Sequence, residues 1–332
     1  MEDPKRRQHF FSHGGPGLEE EKEDCHWCQI RSFPNYDTYP ITVINEVNDD
    51  VLPADFRFIH EVVLGAGVTP AEASFRSGCE CRKDESCRYN GCQCLGDVVL
   101  DESDESDEGR KRKLQASAYQ ATGARVGMLR GRWLEDECDA VIYECHEGCA
   151  CSAACPNRVV ERGRRVPLQI FRTKDRGWGV KSTADIVRGQ FVDRYIGEII
   201  TAAEADRRRK VSDVAQKKDV YLFDLDKFHD PRSLDPRLSA RPYVVDGEFM
   251  SGPTRFINHS CDPNMRIYAR VGDHADKHLH DLALFAIKDV PRGTELTFDY
   301  TNGVEDEDGD KGDRRGMTRC YCGSKKCRGW LF

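Results

Sequence analysis

Thirteen of the sixteen cysteines fall into three groups whose spacing suits metal ligands. Cys79, Cys81, Cys87, Cys92 and Cys94 form the first group, and Cys145, Cys149, Cys151 and Cys155 the second. Cys320, Cys322 and Cys327, completed by Cys261, form the third. Structural zinc takes four ligands in a tetrahedron, and the third group supplies four. The first two groups together hold nine cysteines, which is not a multiple of four. Nine thiolates close around three ions if three of them each bridge two ions; spacing does not say which three. Met1 to Lys22 is charged and has no apolar stretch, so no secretory signal is expected, and disulfide pairing is the weaker alternative. Cys25, Cys28 and Cys138 are left unassigned. The lone Cys25-His-Trp-Cys28 has no second pair nearby and is read as structural or incidental.

A second set of residues lies between and beside these groups. It comprises Arg176-Gly-Trp-Gly179, Tyr195-Ile-Gly-Glu198, Arg255-Phe-Ile-Asn-His-Ser-Cys-Asp-Pro-Asn264 and Glu295-Leu-Thr-Phe-Asp-Tyr300. Any one of them is more often a tight turn or a buried strand end than a site. In this order, bracketed by the cysteine groups, they resemble the signature of a SET-domain protein lysine methyltransferase. The resemblance covers roughly residues 75–332 and is strongest to the fungal histone H3 lysine-9 methyltransferases of the Suppressor-of-variegation class.

That resemblance implies methyl transfer from S-adenosylmethionine to a lysine amine of the histone H3 tail, with four zinc ions: three in the nine-cysteine cluster and one in the last site. It implies cofactor contacts from Arg176, Gly177, Trp178, Tyr221, Arg255, Asn258, His259, Leu331 and Phe332. It places Tyr195, Phe298 and Tyr300, with Asn258 and His259, at the point of transfer. Leu222, Phe223, Asp224 and Asp226 are implied as the strand that receives the substrate tail, with Asp226 favoured over Asp224 to meet its basic charge. The family uses Tyr or Phe at the position of Phe298 as a product switch. Phe298 lacks the hydroxyl that would stop the reaction early, which implies trimethylation.

The chemistry sets its own demands. A free lysine amine has a pKa of about 10.4 and must lose its proton before it can attack. In-line alignment then contributes on the order of 7–11 kcal/mol at best. Elements must therefore hold a cofactor end to end with a narrow channel. From Pro167 onward the chain reads as short strands: Leu168–Phe171, Val192–Ile200, Val220–Leu225, Val244–Asp246, Leu282–Ile287 and Glu295–Tyr300. Thr201-Ala-Ala-Glu204 reads as a capping box opening one helix. The expected fold is mainly β, a SET fold of short curved sheets with a threaded C-terminal segment. A three-zinc pre-SET module over 73–158 and a one-zinc post-SET module over 317–332 flank the SET domain at 159–302. Residues 1–72 read as a partly disordered N-terminal segment with strand signals at Ile41–Ile44 and Phe56–Ile59. The charged runs at about 97–118 and at 303–316 read as a flexible insertion and a mobile linker.

Bulk properties agree with a basic peptide partner. The net charge is −8, against strong sequence-specific nucleic-acid binding and in favour of a basic peptide, which the resemblance makes a histone tail. No apolar run is long enough to cross a bilayer. The basic tetrad Arg110–Lys113 is either a nuclear-localisation patch or a solvated run; the resemblance implies a nuclear, chromatin-associated protein. Val62-Val-Leu-Gly-Ala-Gly67 lacks the third glycine of a dinucleotide loop and is set aside. His274, His278 and His280 are read as surface-loop residues. Two alternatives stay open: a zinc-rich chromatin-binding protein without activity, and the same chemistry on another lysine.

Overall fold

The protein is described by a computed structural model covering residues 25–98, 116–135, 140–211, 221–301 and 318–331. The charged leader, most of the acidic–basic insertion, Cys138, the 303–316 linker and Phe332 lie outside the described residues. In chain order the strands are β1 (Ile41–Ile44), β2 (Arg57–Phe58), β3 (Val63–Leu64), β4 (Ile142–Tyr143), β5 (Leu168–Arg172), β6 (Trp178–Ser182), β7 (Phe191–Tyr195) and β8 (Glu198–Ile200). They continue as β9 (Leu222–Asp224), β10 (Val244–Asp246), β11 (Met250–Ser251), β12 (Asn258–His259), β13 (Met265–Val271), β14 (Asp281–Ala286) and β15 (Glu295–Phe298). Among the described residues the helices are short: α1 (His26–Arg31), α2 (Ala202–Val211) and α3 (Pro236–Ser239).

Three small sheets enclose one apolar core, in the orders β1-β5-β6-β15-β12, β3-β8-β10-β9 and β4-β13-β14-β7; β11 and β2 form a fourth, two-stranded piece. Alternation explains the pleat of β15, where Leu296 and Phe298 point inward and Glu295 and Thr297 do not. β14 is buried almost throughout, because both its faces are covered: Leu282, Leu284 and Ala286 pack into one core cluster and Ala283 and Phe285 into another. The decisive pairing is β12 with β15. It runs parallel, with Asn258 beside Thr297 and His259 beside Phe298. Two motifs about forty positions apart in sequence thereby become neighbours.

The N-terminal segment is woven into the core. β1 pairs with β5, β2 with β11 and β3 with β8, so residues 41–64 add a strand to three sheets. The nine cysteines form a separate buried knot beside them. The insertion is shorter at both ends than its charge pattern suggested. Asp97 pairs with Lys277, and Ala116 to Ala118 are buried, their chain fixed by bonds from the Ala116 and Ser117 amides to Arg88 O at 2.9 and 3.1 Å.

Two further expectations are corrected. His278 and His280 are each only 5% exposed, not surface residues. They belong to the β13–β14 connection, which tucks beneath the cysteine module: His278 Nε2 lies 3.2 Å from Thr69 O, and the His280 ring packs edge-on to Phe228. His274 stacks on Tyr143 with ring centroids 5.1 Å apart. Only half of the capping box forms. Thr201 Oγ1 accepts from the Glu204 amide at 3.2 Å, while the Glu204 carboxylate is taken up by Arg207 and Arg208 at 2.7–2.8 Å. A charged donor offers that carboxylate a stronger bond than a helix-end amide.

Candidate active site and cysteine centres

The β12–β15 crossing opens a cavity of about 380 Å³. Arg176, Gly177, Trp178, Tyr221, Arg255, Asn258, His259, Tyr300 and Leu331 all line it, so nine of the expected residues converge on one space. Gly177 sits at φ +71, a conformation that favours glycine, and turns the chain into β6. Asn258 Nδ2 donates to Trp178 O at 3.1 Å and to Glu295 Oε1 at 2.9 Å. Arg176 reaches the other oxygen of Glu295 at 2.5 Å. Leu331 is held by its amide, which donates to Thr318 O at 2.7 Å.

Behind the cavity an aromatic wall leads inward. Ring centroids run Tyr195 to Phe223 at 4.5 Å, Phe223 to Phe298 at 5.8 Å and Phe298 to Tyr300 at 4.8 Å. Tyr195 Oη donates to Tyr221 O at 3.0 Å, and Tyr300 Oη to Ile257 O at 2.7 Å. Burial pushes both phenols above their ordinary pKa. They stay neutral near pH 7, so neither is a resident base. Burial lowers His259 to about 4, opposed by Asp299. Its neutral ring fits the bond it receives, from the Tyr300 amide to Nδ1 at 3.2 Å. Its other nitrogen lies 3.2 Å from Cys261 Sγ.

Arg255 lines the cavity and also donates from Nε to Gly247 O at 3.1 Å and from Nη2 to Glu248 O at 3.0 Å, and it stacks over Tyr221 at 4.3 Å. It braces the cavity wall. β9 is an edge strand among the described residues, hydrogen-bonded only to β10. Asp224 and Asp226 are exposed there, and Phe223 reaches the aromatic wall. Leu222 turns the other way, buried with Ile200, Ala205 and Val244, so only its backbone faces the edge.

The cysteines are brought together as their spacing suggested. Groups of four sulfurs, each within 4.8 Å of one another, include Cys79/Cys81/Cys87/Cys92, Cys79/Cys92/Cys94/Cys145, Cys79/Cys145/Cys149/Cys151 and Cys87/Cys145/Cys151/Cys155. Cys79 and Cys145 each recur in three of them, so the nine form one shared knot. Sulfur separations such as Cys79–Cys87 at 3.8 Å and Cys79–Cys145 at 3.9 Å match the roughly 3.8 Å edge of a tetrahedron with 2.3 Å metal–sulfur bonds. Cys261, Cys320, Cys322 and Cys327 form a fourfold set of the same size. An all-thiolate donor set suits zinc.

Sequence reasoning missed several contributors. Glu295, in sequence only a polar position on a predicted strand, accepts from both Asn258 and Arg176. Pro53, Phe256, Thr318, Arg319 and Tyr321 also line the cavity, and nothing in their local sequence signals it.

Fold and site define a SET-domain protein with a Pre-SET module. A family profile for the SET domain matches residues 177–301, and one for the Pre-SET motif matches residues 34–158. The chain is 60% identical over 330 residues to a histone-lysine N-methyltransferase of Neurospora crassa, H3 lysine-9 specific dim-5, covering 98% of each. It is 60% identical over 337 residues to the H3 lysine-9 specific KMT1 enzyme of Fusarium mangiferae, covering 98% of this chain and 97% of the other. The solved structure of the Neurospora SET domain protein DIM-5, a histone lysine methyltransferase, superposes with a TM-score of 0.73 at 59% identity, covering 86% of this chain and 100% of that one. The chain belongs to the SET-domain histone-lysine N-methyltransferases.

Proposed function

We propose that this enzyme methylates lysine 9 of histone H3, carries it to the trimethyl state with S-adenosylmethionine as donor, and acts in the nucleus in heterochromatin formation and gene silencing. The observation that carries the reading is the junction at Tyr300, which lines the cavity and packs against Phe298, a phenylalanine instead of a tyrosine, in the aromatic wall. The two relatives specific for H3 lysine 9 support the substrate.

The residues fit the cofactor. The cavity joins a cation, Arg176, an amide, Asn258, and aromatic surface from Trp178 and Tyr221. When bound, S-adenosylmethionine supplies an electrophilic sulfonium methyl. The chain's own part is positional. The tail adds to β9 as a further strand, with Asp224 and Asp226 meeting its basic residues. Tyr195, Phe223, Phe298 and Tyr300 exclude water and confine the lysine amine, which reaches the channel neutral. Without a hydroxyl on Phe298, a methylated amine keeps room to turn and react again. In this reading three zinc ions staple the nine-cysteine knot, and a fourth binds Cys261 to the C-terminal segment, setting Leu331 against the cofactor. The division into modules at 73–158, 159–302 and 317–332 belongs to the same proposal.

The test is mass spectrometry of a histone H3 tail peptide after incubation with zinc-loaded enzyme and S-adenosylmethionine. Three methyl groups on lysine 9 are expected. A product on another lysine would discard the substrate assignment and keep the chemistry.

A further inference from the structure

We propose that Glu295 is a positioning residue that sets Asn258 and Arg176 as a matched pair for the amino-acid end of the cofactor; the inference rests on the reading of the cavity just given. Its two carboxylate oxygens are divided between them: Oε1 accepts from Asn258 at 2.9 Å and Oε2 from Arg176 at 2.5 Å. The consequence for Asn258 is orientational. A side-chain amide nitrogen carries two hydrogens, and those of Asn258 are spent on Glu295 and Trp178 O. Flipping the amide would lose both bonds. Oδ1, without a partner among the described residues, is left as an acceptor on a side chain that lines the cavity.

For Arg176 the consequence is location. Its Nε lies 3.8 Å from Asp175, an exposed carboxylate at the cavity mouth. Glu295 is the nearer and better buried partner, at 19% exposure against 64%. It therefore holds the guanidinium inward, beside Asn258. The Arg176–Glu295 pair is neutral in sum, as is an amino acid with its ammonium and carboxylate both ionised. An oriented acceptor and a cationic donor, fixed on one carboxylate, complement those two groups respectively.

Glu295 is itself locked. Its carbonyl accepts from Asn264 Nδ2 at 2.8 Å, and Asn264 Oδ1 accepts from the Thr297 amide at 2.9 Å, which pins β15 at this point. Facing it, Gly179 leaves the room the carboxylate occupies, since a Cβ there would lie 2.9 Å from Oε1. The notch, the strand anchor and the two bonds agree on a single placement.

The experiment compares two ligands on the full zinc-loaded chain by calorimetry: S-adenosylhomocysteine, and 5′-methylthioadenosine, which lacks the amino-acid end. Hydrogen bonds to charged groups contribute about 1.5–3 kcal/mol. Glu295→Gln is therefore expected to weaken S-adenosylhomocysteine roughly ten- to a hundredfold. Its binding of 5′-methylthioadenosine should stay within about twofold, since that ligand makes none of these contacts. Glu295→Asp keeps the charge on an arm one methylene too short to span both partners and should show the same selective loss, so the test survives if the glutamine variant fails to fold. Equal weakening of both ligands, or no change in either, would overturn the role of Glu295. Wild-type protein that binds neither ligand would overturn the reading of the cavity instead.

Discussion

Arg328 donates from both terminal guanidinium nitrogens to Asp299, at 2.6 and 2.8 Å, and so fastens the C-terminal cysteine segment to the turn between Phe298 and Tyr300. The Arg328 amide also lies 3.4 Å from Cys261 Sγ. The tail is thus held twice, once by the cysteine set and once by this fork. The pair is 28% and 15% exposed, which places it between a screened surface bridge and a buried one. Arg328→Ala is expected to cost about 1–2 kcal/mol in tail closure. This should appear as a roughly tenfold higher KM for S-adenosylmethionine with the peptide KM little changed. An equal rise in both constants would show that the fork serves the whole fold.

Phe298→Tyr tests the product switch. Phe298 is buried between Phe223 and Tyr300, so an added hydroxyl must enter the channel wall. It would hydrogen-bond the amine and fill the space a methylated amine needs. The expected outcome is accumulation of mono- and dimethyl product in a mass-spectrometric time course, with the first methyl transferred within about threefold of the wild-type rate. An unchanged ratio of products would remove Phe298 from the argument.

The pH profile follows from the phenols. Burial raises Tyr195 and Tyr300, so both remain protonated through neutral and mildly alkaline pH. With no resident base, the fraction of neutral lysine governs the rate. Between about pH 7 and 9, kcat/KM should climb close to tenfold per unit and level off only near pH 10. A plateau below about pH 8 would mean that a group of the protein takes the proton.

What the sequence revealed divides along physical lines. The cysteine sets were legible because so many cysteines crowd into short stretches, with Cys261 the one distant ligand, and all thirteen fall into the expected clusters. The cavity residues were legible because Arg176–Trp178, Asn258–His259 and Tyr300 occur in dense motifs. Residues that act through a distant partner carry no such mark. Glu295 looks like any polar position on a half-buried strand until β12 is laid beside β15. Pro53 enters the cavity only because the N-terminal segment is threaded through the core, and its short strands, two to four residues long, gave too little periodicity to show where they pair. His278 and His280 misled for the same reason: a charged local sequence hid a turn that long-range contacts bury.

Asp226 and Asp224 test the substrate edge. Both side chains are exposed, Asp224 at the end of β9 and Asp226 just beyond it. Exposed charges steer and select more than they bind. Asp226→Asn is expected to raise the peptide KM about three- to tenfold at low salt, with a smaller effect at high salt and none on cofactor KM. A salt-independent change would point to altered packing instead of lost attraction.

Glu144 shows how the cysteine knot is tied to the catalytic sheets, and it carries the strongest stability prediction. Its side chain is fully buried. It accepts from the amides of Val159, Val160 and Glu161 at 2.7, 2.8 and 3.0 Å, from Arg270 Nε at 3.1 Å, and from the Tyr119 hydroxyl. Arg270, on β13, continues to Asp281 on β14, and Asp281 to Arg194 on β7. One carboxylate next to Cys145 therefore starts a chain of charges that ends beside Tyr195. Glu144→Gln keeps the shape but removes the charge that balances Arg270 and turns two acceptors into one. Breaking one side of a buried pair costs about 3–5 kcal/mol. Urea unfolding of the zinc-loaded protein should lose that much, with zinc content per folded molecule unchanged. A loss below about 1 kcal/mol would mean that Glu161 and Asp281 hold Arg270 without Glu144.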